Sequence, residues 1–395
     1  MYTQCPVMCV TLQGILQTAF AAWAGKRELP VRVRRAARAL QHCRTEALGG
    51  QVRACPDGHV AQTWYNSCGH RACPQCWWRR TAEWLDAWKP RLLPSVHFHV
   101  IFTLPSELHA LWQWNRAVFA ALLFRCVRET LFTLLADPQF LGARPGVLAA
   151  LHTWGATLRL HPHIHCLVTG GGLAADGLWR TVSTGYLLPV RVVRVVFRGK
   201  LLSGLEALWR AGQLRLPPGV DDDGMRRLLI AAARQKWNVR INPGYAHGRG
   251  VATYLARYLR GGPLKNSRLI SFDGERVAFR YRNYRDSDAH GQPREATLIL
   301  PVAEFLRRWS EHVPLPAVHS LRTWGLYASR QRAALELCRA QLPPAPAAPA
   351  TPVPAPPAPA APWEHCPICG KSLVILHVLP RAGAPPLTTA HRDAA

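Results

Sequence analysis

Three histidines alternate with other residues in the segment 161–165, His-Pro-His-Ile-His, which runs into Cys-Leu-Val-Thr and then three glycines. Side chains two positions apart in a β-strand lie on the same face, so His163 and His165 would project together while Ile164 points into a core. The segment therefore predicts a strand with one apolar face and one imidazole face. Paired imidazoles at this spacing indicate a site for a divalent metal ion.

The charge balance predicts a polyanionic partner. The chain has 49 Lys and Arg against 23 Asp and Glu, a formal net charge of +26, and 43 of its basic residues are arginines. A charge of this size attracts nucleic acid through counter-ion release, and the planar guanidinium suits phosphate. An alanine-, arginine- and proline-rich composition is also typical of a GC-rich genome, so the charge alone leaves that explanation open.

Length and cysteine usage define the expected class of protein. The 395 residues suffice for two or three domains. The most apolar stretch, residues 108–136, is interrupted by charges, which predicts a buried helix and no membrane partner. The N-terminal sequence lacks an export-signal pattern, and the cysteines cluster in Cys-x-x-Cys pairs. We therefore expect thiolate metal ligands in a bacterial cytoplasm, associated with the nucleoid.

Seven of the twelve cysteines lie in the first eighty or so residues. Two short Cys-containing turns joined by a loop can supply the four tetrahedral ligands that Zn²⁺ requires. The predicted zinc ligands are Cys55, His59, Cys73 and Cys76, with Cys68 or Cys43 as substitutes. The same module carries arginines predicted to contact DNA: Arg71, Arg79 and Arg80.

The rest of the chain reads as a mixture of helices and strands. Hydrophobic patterning predicts strands at 96–104, 153–160, 163–169 and 276–285, a basic β-rich run at 187–197, and helices at about 108–136 and 251–260. This mixture predicts an α+β fold around an antiparallel sheet.

The C-terminal part contains a stretch of almost only Pro and Ala, which predicts an extended linker. The tail beyond it offers Cys366 and Cys369, half of a metal site, and its own histidines could complete that site: His365, His377 or His391. The predicted divisions are a zinc-binding DNA-binding domain (1–90), a catalytic domain (91–340), the linker (341–362) and the tail (363–395).

Tyr254 and Tyr258 lie four residues apart, hence on one face of the predicted helix. Alone, such a pair is typical of an apolar stripe. In a strongly basic chain with a His-x-His strand, and with Arg257 and Arg260 on the same helix as candidate DNA contacts, the pair becomes a candidate for two catalytic nucleophiles.

These motifs together resemble the two-tyrosine HUH transposases of the insertion sequence 91 family. The resemblance covers about residues 35–335, and its landmarks are the segments 66–76, 99–105, 152–155, 161–172 and 254–258. It implies an HUH endonuclease-like antiparallel sheet with flanking helices, preceded by a small zinc-binding domain. The pair Gly58-His59 departs from the family pattern, in which a second cysteine is common.

The resemblance also implies a chemistry. His163 and His165 would hold Mg²⁺ or Mn²⁺ with a third ligand, for which His99 is the first candidate and His97 and His161 follow. The segment 97–99 is itself a His-x-His pair and an alternative metal strand. Tyr254 and Tyr258 would cleave and rejoin single-stranded DNA at the element ends and target through 5′-phosphotyrosine intermediates.

Three functions are consistent with this reading. The first is a rolling-circle transposase, and the second is a plasmid replication initiator or relaxase with the same active site. The third is a zinc-dependent DNA-binding protein without chemistry. The chain has no Gly-x-x-x-x-Gly-Lys-Ser/Thr motif, so a host helicase is the expected source of unwinding. The oligomeric state is not predicted.

Overall fold

The structure is a computed structural model that describes residues 10–182, 185–245, 262–288, 292–343 and 364–382, without the side chains of 78–80 and 285. The helices in these ranges are α1 (Leu12–Gly25), α2 (Val31–Gln41), α3 (Trp77–Trp88), α4 (His109–Trp114), α5 (Arg116–Ala136), α6 (Val190–Arg210), α7 (Asp222–Arg234), α8 (Val302–Glu311) and α9 (Arg332–Gln341). The strands are β1 (Gly50–Ala54), β2 (Ala61–Tyr65), β3 (His97–Thr103), β4 (Arg144–Trp154), β5 (Leu160–Leu173), β6 (Trp179–Thr181), β7 (Val239–Ile241), β8 (Leu269–Phe272), β9 (Arg276–Ser287), β10 (Pro293–Pro301), β11 (Leu321–Gly325) and β12 (Val374–Leu379).

A six-stranded sheet forms the centre of the molecule. Its strands follow the order β11-β4-β5-β3-β7, with β6 also pairing with β5, and every pairing is antiparallel. Two three-stranded antiparallel sheets, β12-β1-β2 and β10-β9-β8, accompany it. The predicted α+β class built on antiparallel sheet is therefore confirmed.

The alternation in β5 separates the two faces of the central sheet. Ile164, Cys166 and Val168 are fully buried in an apolar core that also contains side chains of α5 and α6. His163 and His165, one position out of phase, are buried on the other face of the sheet. The strand consequently has an apolar face that packs against α5 and α6 and an imidazole face whose ring nitrogens can bind a ligand.

Two predicted elements differ from the structure. The predicted strand at 153–160 is instead the end of β4, a turn, and the start of β5, which continues through the triple glycine to Leu173. The β-rich run at 187–197 is wrong: it begins α6 after Pro189. Val193, Phe197 and Leu201 recur every four residues and are fully buried, so helical periodicity outweighs the β-propensity of the valines.

The N-terminal helices pack on a part of the chain distant in sequence. Thr11 caps α1 by accepting a hydrogen bond from the Gly14 backbone at 3.0 Å. The buried faces of α1 and α2 share one apolar core with β9 and α8, where the rings of Phe20 and Trp309 meet edge to face at 6.4 Å. This apolar core therefore contains residues from both sides of residue 90, where the first domain boundary is predicted.

The C-terminal tail joins the N-terminal part through β12, which pairs with β1 from Ala54↔Val374 to Gly50↔Leu379. None of the helices in the described ranges is both long and apolar enough to cross a membrane.

Candidate active site and metal centres

Three histidines from two adjacent strands converge on the imidazole face of the central sheet. His152 on β4 lies directly opposite His163 on β5, and His165 follows two residues later. One ring nitrogen from each of these three residues lies within 4.8 Å of the others, and we call them the histidine trio. The Nε2 atoms of His163 and His165 are 2.9 Å apart. The trio is the strongest candidate for the predicted divalent-metal site.

The hydrogen bonds of His163 prepare it as a ligand. Its Nδ1 lies 2.5 Å from the backbone oxygen of His161. A carbonyl can only accept, so Nδ1 carries the proton and Nε2 presents its lone pair to the trio. A backbone carbonyl behind a ligating imidazole is the usual way of fixing its tautomer.

His152 fits a metal site for a different reason. Its Nε2 is buried and has no hydrogen-bond partner among the described residues, while its ring stacks on Trp154 with centroids 4.5 Å apart. A buried nitrogen without a partner is costly unless something binds it. The residues present therefore fit a bound cation.

Burial keeps these rings neutral. It lowers the pKa of His163 and of His99 to about 3. It also lowers the pKa of His152 and of His165 well below the usual value for imidazole. Neutral rings retain the lone pairs that metal ligands need, so the site is ready to bind a cation at neutral pH.

The other candidate third ligands occupy different positions. His99 Nε2 lies 2.8 Å from Nδ1 of His165, the nitrogen that does not face His163. The amide nitrogen Nδ2 of Asn242 lies 2.9 Å from Nδ1 of His99. His97 is committed elsewhere, with its Nε2 bonded to the Tyr327 hydroxyl at 2.5 Å. The geometry thus groups His152 with His163 and His165, and it puts His99 behind His165.

A cavity of about 420 Å³ opens beside the trio. It is bounded on one side by residues 70–81 and on the other by β4 and the end of α8. Two guanidinium groups and several aromatic rings line it, a combination suited to a nucleotide. The lining includes Arg71, Trp77, Arg116, His152, Trp154 and Gly262.

Several predicted site residues lie outside the described residues. These are both candidate nucleophiles and their neighbouring arginines, Tyr254, Arg257, Tyr258 and Arg260. The side chains of Arg79 and Arg80 are also outside the described part. Of the predicted DNA contacts, Arg71 is described: it lines the cavity and donates to the backbone oxygen of Leu315 at 3.1 Å.

The four-cysteine cluster consists of Cys43, Cys68, Cys73 and Cys76, whose sulfurs lie within 4.8 Å of one another. The Cys76 sulfur is 3.4 Å from that of Cys43 and 3.7 Å from that of Cys68. Hydrogen bonds among the four side chains lower the pKa of the Cys43 and Cys76 thiols and raise the pKa of the Cys68 and Cys73 thiols. Four convergent thiols, two of them with a lowered pKa, form a closed tetrahedral set of the kind that holds structural zinc.

The predicted zinc ligands do not form one site. Cys73 and Cys76 belong to the four-cysteine cluster, with the two substitutes as their partners, whereas Cys55 and His59 lie with Cys366 and Cys369 of the tail. We call this second set the mixed cluster. The histidines predicted to complete the tail site are not in it: His365 bonds to the Gly370 backbone oxygen, His377 lies on β12 opposite Val52 of β1, and His391 lies outside the described residues.

The sequence did not identify His152 as a member of the histidine trio, nor the partners of the tail cysteines. The segment 152–155 was a landmark of the resemblance, but nothing local to it indicates a metal ligand. Its role depends on the register of β4 against β5, which places His152 opposite His163. The tail pair was recognisable as half a site, yet Cys369 meets a residue 314 positions away.

Comparison with protein-family models gives two matches. Residues 15–104 match the family described as "Transposase zinc-binding domain", and residues 146–334 match the family described as "Putative transposase".

Two similar proteins support the same grouping. The protein named "Putative transposase y4qJ" of Sinorhizobium fredii is 38% identical over 323 residues, covering 80% of each chain. The transposase for insertion sequence element IS801 of Pseudomonas savastanoi pv. phaseolicola is 32% identical over 299 residues, covering 73% of this chain and 68% of the other. Among solved structures, the conjugative relaxase TrwC in complex with oriT DNA covers 41% of this chain and 70% of its own at 13% identity. The TM-score of that match is only 0.24.

Proposed function

Because the chain belongs to the insertion sequence 91 family of transposases and carries that family's zinc-binding domain, we propose that it cleaves and rejoins single-stranded DNA through 5′-phosphotyrosine intermediates. The proposed nucleophiles are Tyr254 and Tyr258. The proposed metal ligands are His163, His165 and His152, with Mg²⁺ or Mn²⁺ as the ion. The proposed partners are single-stranded DNA at the element ends and target, and a host helicase that supplies unwinding.

The observation that carries the proposal is the histidine trio. Two ligand atoms at right angles on an octahedral ion, each about 2.1 Å from it, lie about 3 Å apart. The Nε2 atoms of His163 and His165 are separated by 2.9 Å, which suits that geometry. A bound divalent ion would polarise the scissile phosphate and offset its developing charge.

The protein's own groups perform the remaining tasks. The backbone oxygen of His161 fixes the His163 tautomer, and burial keeps the rings neutral. Arg71 and Arg116 border the cavity next to His152, where their guanidinium groups can hold phosphates while Trp77 offers a stacking surface. The net charge of +26 draws DNA to this surface.

Chain connectivity is compatible with a nucleophile at this place. Gly262 lines the cavity and lies four residues after Tyr258 in the sequence. A connection of four residues spans at most about 14 Å. The proposal requires that, with the chain so tethered at Gly262, the phenol oxygen of Tyr258 reach a phosphate bound in the cavity.

The proposed step balances without an energy source. The deprotonated phenol oxygen attacks phosphorus, a new tyrosine O–P bond forms, and the P–O3′ bond breaks. The leaving 3′ oxygen takes a proton and becomes a hydroxyl, while the 5′-phosphate stays on the tyrosine. Attack by a 3′ hydroxyl reverses the step and releases the tyrosine, so rejoining requires no ATP. The second tyrosine allows a second strand to be cut while the first is held.

The test uses the full chain, Mn²⁺, and single-stranded oligonucleotides spanning each end of the element. A 3′-labelled strand should yield a label covalently attached to the protein on a denaturing gel, whereas a 5′-labelled strand should yield only a shorter free fragment. The double variant Tyr254→Phe/Tyr258→Phe and the variant His163→Phe should abolish the adduct. The matched control Tyr284→Phe, an exposed tyrosine on β9, should retain it.

The same assay separates the alternatives. A protein that binds DNA without chemistry gives a retarded band on a native gel but no adduct, which would refute the proposal. A replication initiator or relaxase would give the adduct on a plasmid origin rather than on the element ends. An adduct that persists in the double tyrosine variant would refute the assignment of the nucleophiles.

A further inference from the structure

The mixed cluster joins the two ends of the described chain. Cys55 and His59 come from the turn between β1 and β2, while Cys366 and Cys369 come from the tail before β12. The Cys55 sulfur lies 3.5 Å from the Cys369 sulfur and 3.6 Å from Nδ1 of His59. The Cys366 sulfur lies 3.9 Å from the same Nδ1. All four ligand atoms lie within 4.8 Å of one another.

These separations match a tetrahedral zinc site. With Zn–S near 2.3 Å and Zn–N near 2.0 Å, two sulfurs on one tetrahedral ion lie about 3.8 Å apart and a sulfur and a nitrogen about 3.5 Å apart. A disulfide between Cys55 and Cys369 would require about 2.05 Å, far below the observed separation of their sulfurs. The donor set of three thiolates and one imidazole is a common structural zinc set.

Each half of the cluster is built on a tight turn that a glycine closes. The Gly58 backbone donates to the Cys55 oxygen at 3.0 Å, and the Gly370 backbone donates to the Cys366 oxygen at 2.9 Å. Both glycines have positive φ, 75° and 74°, which lets the chain turn back tightly. The Ile368 backbone also donates to the Cys366 sulfur at 3.4 Å. Such turns present sulfurs to a common centre.

Apart from the pairing of β12 with β1, few contacts hold the tail in place. Its apolar cluster contains Cys55, Cys366 and Leu373 with Val60 beside them. Most residues of β12 are exposed. The ion pair between Lys371 and Asp57, at 2.8 Å, is on the surface and contributes little. A segment this small needs a covalent or metal cross-link in addition to its apolar contacts to be held in one place.

We propose that Cys55, His59, Cys366 and Cys369 bind a second zinc ion, which fastens the C-terminal tail to the N-terminal zinc module and thereby completes the β12-β1-β2 sheet. This ion is separate from the one expected at the four-cysteine cluster, since the two sets share no residue. The inference does not rest on the proposed DNA cleavage, because none of its four residues belongs to the histidine trio.

Zinc content measures the site directly. The full chain is purified, dialysed and analysed by inductively coupled plasma mass spectrometry. The double variant Cys366→Ser/Cys369→Ser should contain one zinc fewer per chain than the parent. The matched control Cys126→Ala/Cys338→Ala removes two buried thiols outside both clusters and should keep the parent's content. Equal zinc in the parent and in the Cys366→Ser/Cys369→Ser variant would overturn the proposal.

A second experiment keeps the tail cysteines intact and tests the fastening. A protease recognition sequence is inserted between residues 344 and 362, and the cleaved protein is analysed by gel filtration in the presence of zinc. The tail should elute with the body of the protein. It should separate when His59→Ala removes one ligand, and it should stay when His59→Cys supplies another zinc ligand. If the cleaved tail elutes with the body of the protein in all three proteins, or separates from it in all three, the proposal that zinc holds the tail is wrong.

Discussion

The hydrogen bonds behind His165 predict that His99 controls metal affinity without being a ligand. For His165 to bind a cation through Nε2, its Nδ1 must carry the proton and donate to His99 Nε2, 2.8 Å away. The variant His99→Phe fills the same buried space but deprives that N–H of its acceptor. Losing a buried hydrogen-bond partner costs about 1–3 kcal/mol. At about 1.4 kcal/mol per factor of ten, Mn²⁺ affinity should fall about 5- to 150-fold.

Isothermal titration of the full chain with MnCl₂ measures this change. The matched control is His97→Phe, two residues earlier on the same strand and equally buried, whose Nε2 bonds to Tyr327 instead of to the trio. The control should lower the melting temperature and leave Mn²⁺ affinity within about twofold of the parent. A similar loss of affinity in both variants would mean that the effect is general destabilisation.

The variant His152→Phe completes the comparison, because it removes a proposed ligand rather than a supporting residue. Its Mn²⁺ affinity should fall further than that of His99→Phe. The opposite order, with binding abolished by His99→Phe and almost unchanged in His152→Phe, would make His99 the third ligand. That result would refute the reasoning from the geometry.

Four further outcomes are expected. Asn242→Asp replaces an amide with a carboxylate, which can only accept a hydrogen bond from His99 Nδ1. The proton of His99 is then held on Nδ1, its Nε2 accepts from His165 Nδ1, and His165 Nε2 is left free to bind the ion, so Mn²⁺ affinity should rise. Unchanged or weaker Mn²⁺ binding in the titration would contradict this. Gly325→Ala should lower the free energy of unfolding by more than about 2 kcal/mol, because the new Cβ would lie 1.8 Å from the backbone oxygen of Pro145 and φ is 60°. The control Gly199→Ala in α6 has open space around the new Cβ and should leave stability unchanged or raise it. Thermal melts measure both variants. His99 and the histidine trio have pKa values below those of histidines in the unfolded chain, so the unfolded chain binds protons at a higher pH than the folded protein does. The free energy of unfolding should therefore be highest above about pH 6.5 and should fall as the pH drops towards 3, by about 1.4 kcal/mol per pH unit for each such histidine. Acid titrations followed by circular dichroism measure this fall. Arg71→Ala should reduce the salt dependence of single-stranded DNA binding by about 0.7 in the log–log slope, and an unchanged slope would remove Arg71 from the DNA-contacting surface.

The sequence by itself determined the features that depend on local periodicity and composition. The alternation around Ile164 predicted a strand with two chemically different faces, and the structure has Ile164 in the core and its neighbouring histidines on the opposite face. Patterning also predicted β3 and β9 within a few residues. The family and its zinc-binding domain were recognisable because their motifs are contiguous segments of sequence.

Tertiary structure decided which residues meet. His152 joins His163 only because β4 and β5 pair in one register, and a shift of one residue would turn its side chain to the other face. Cys55 meets Cys369 across 314 positions, so no spacing rule could pair them. The basic run that begins α6 shows the same limit, since burial of every fourth residue against the core overrides the local preference of valine for strands. Metal sites are sets of points in space, and a sequence specifies those points only after the chain has folded.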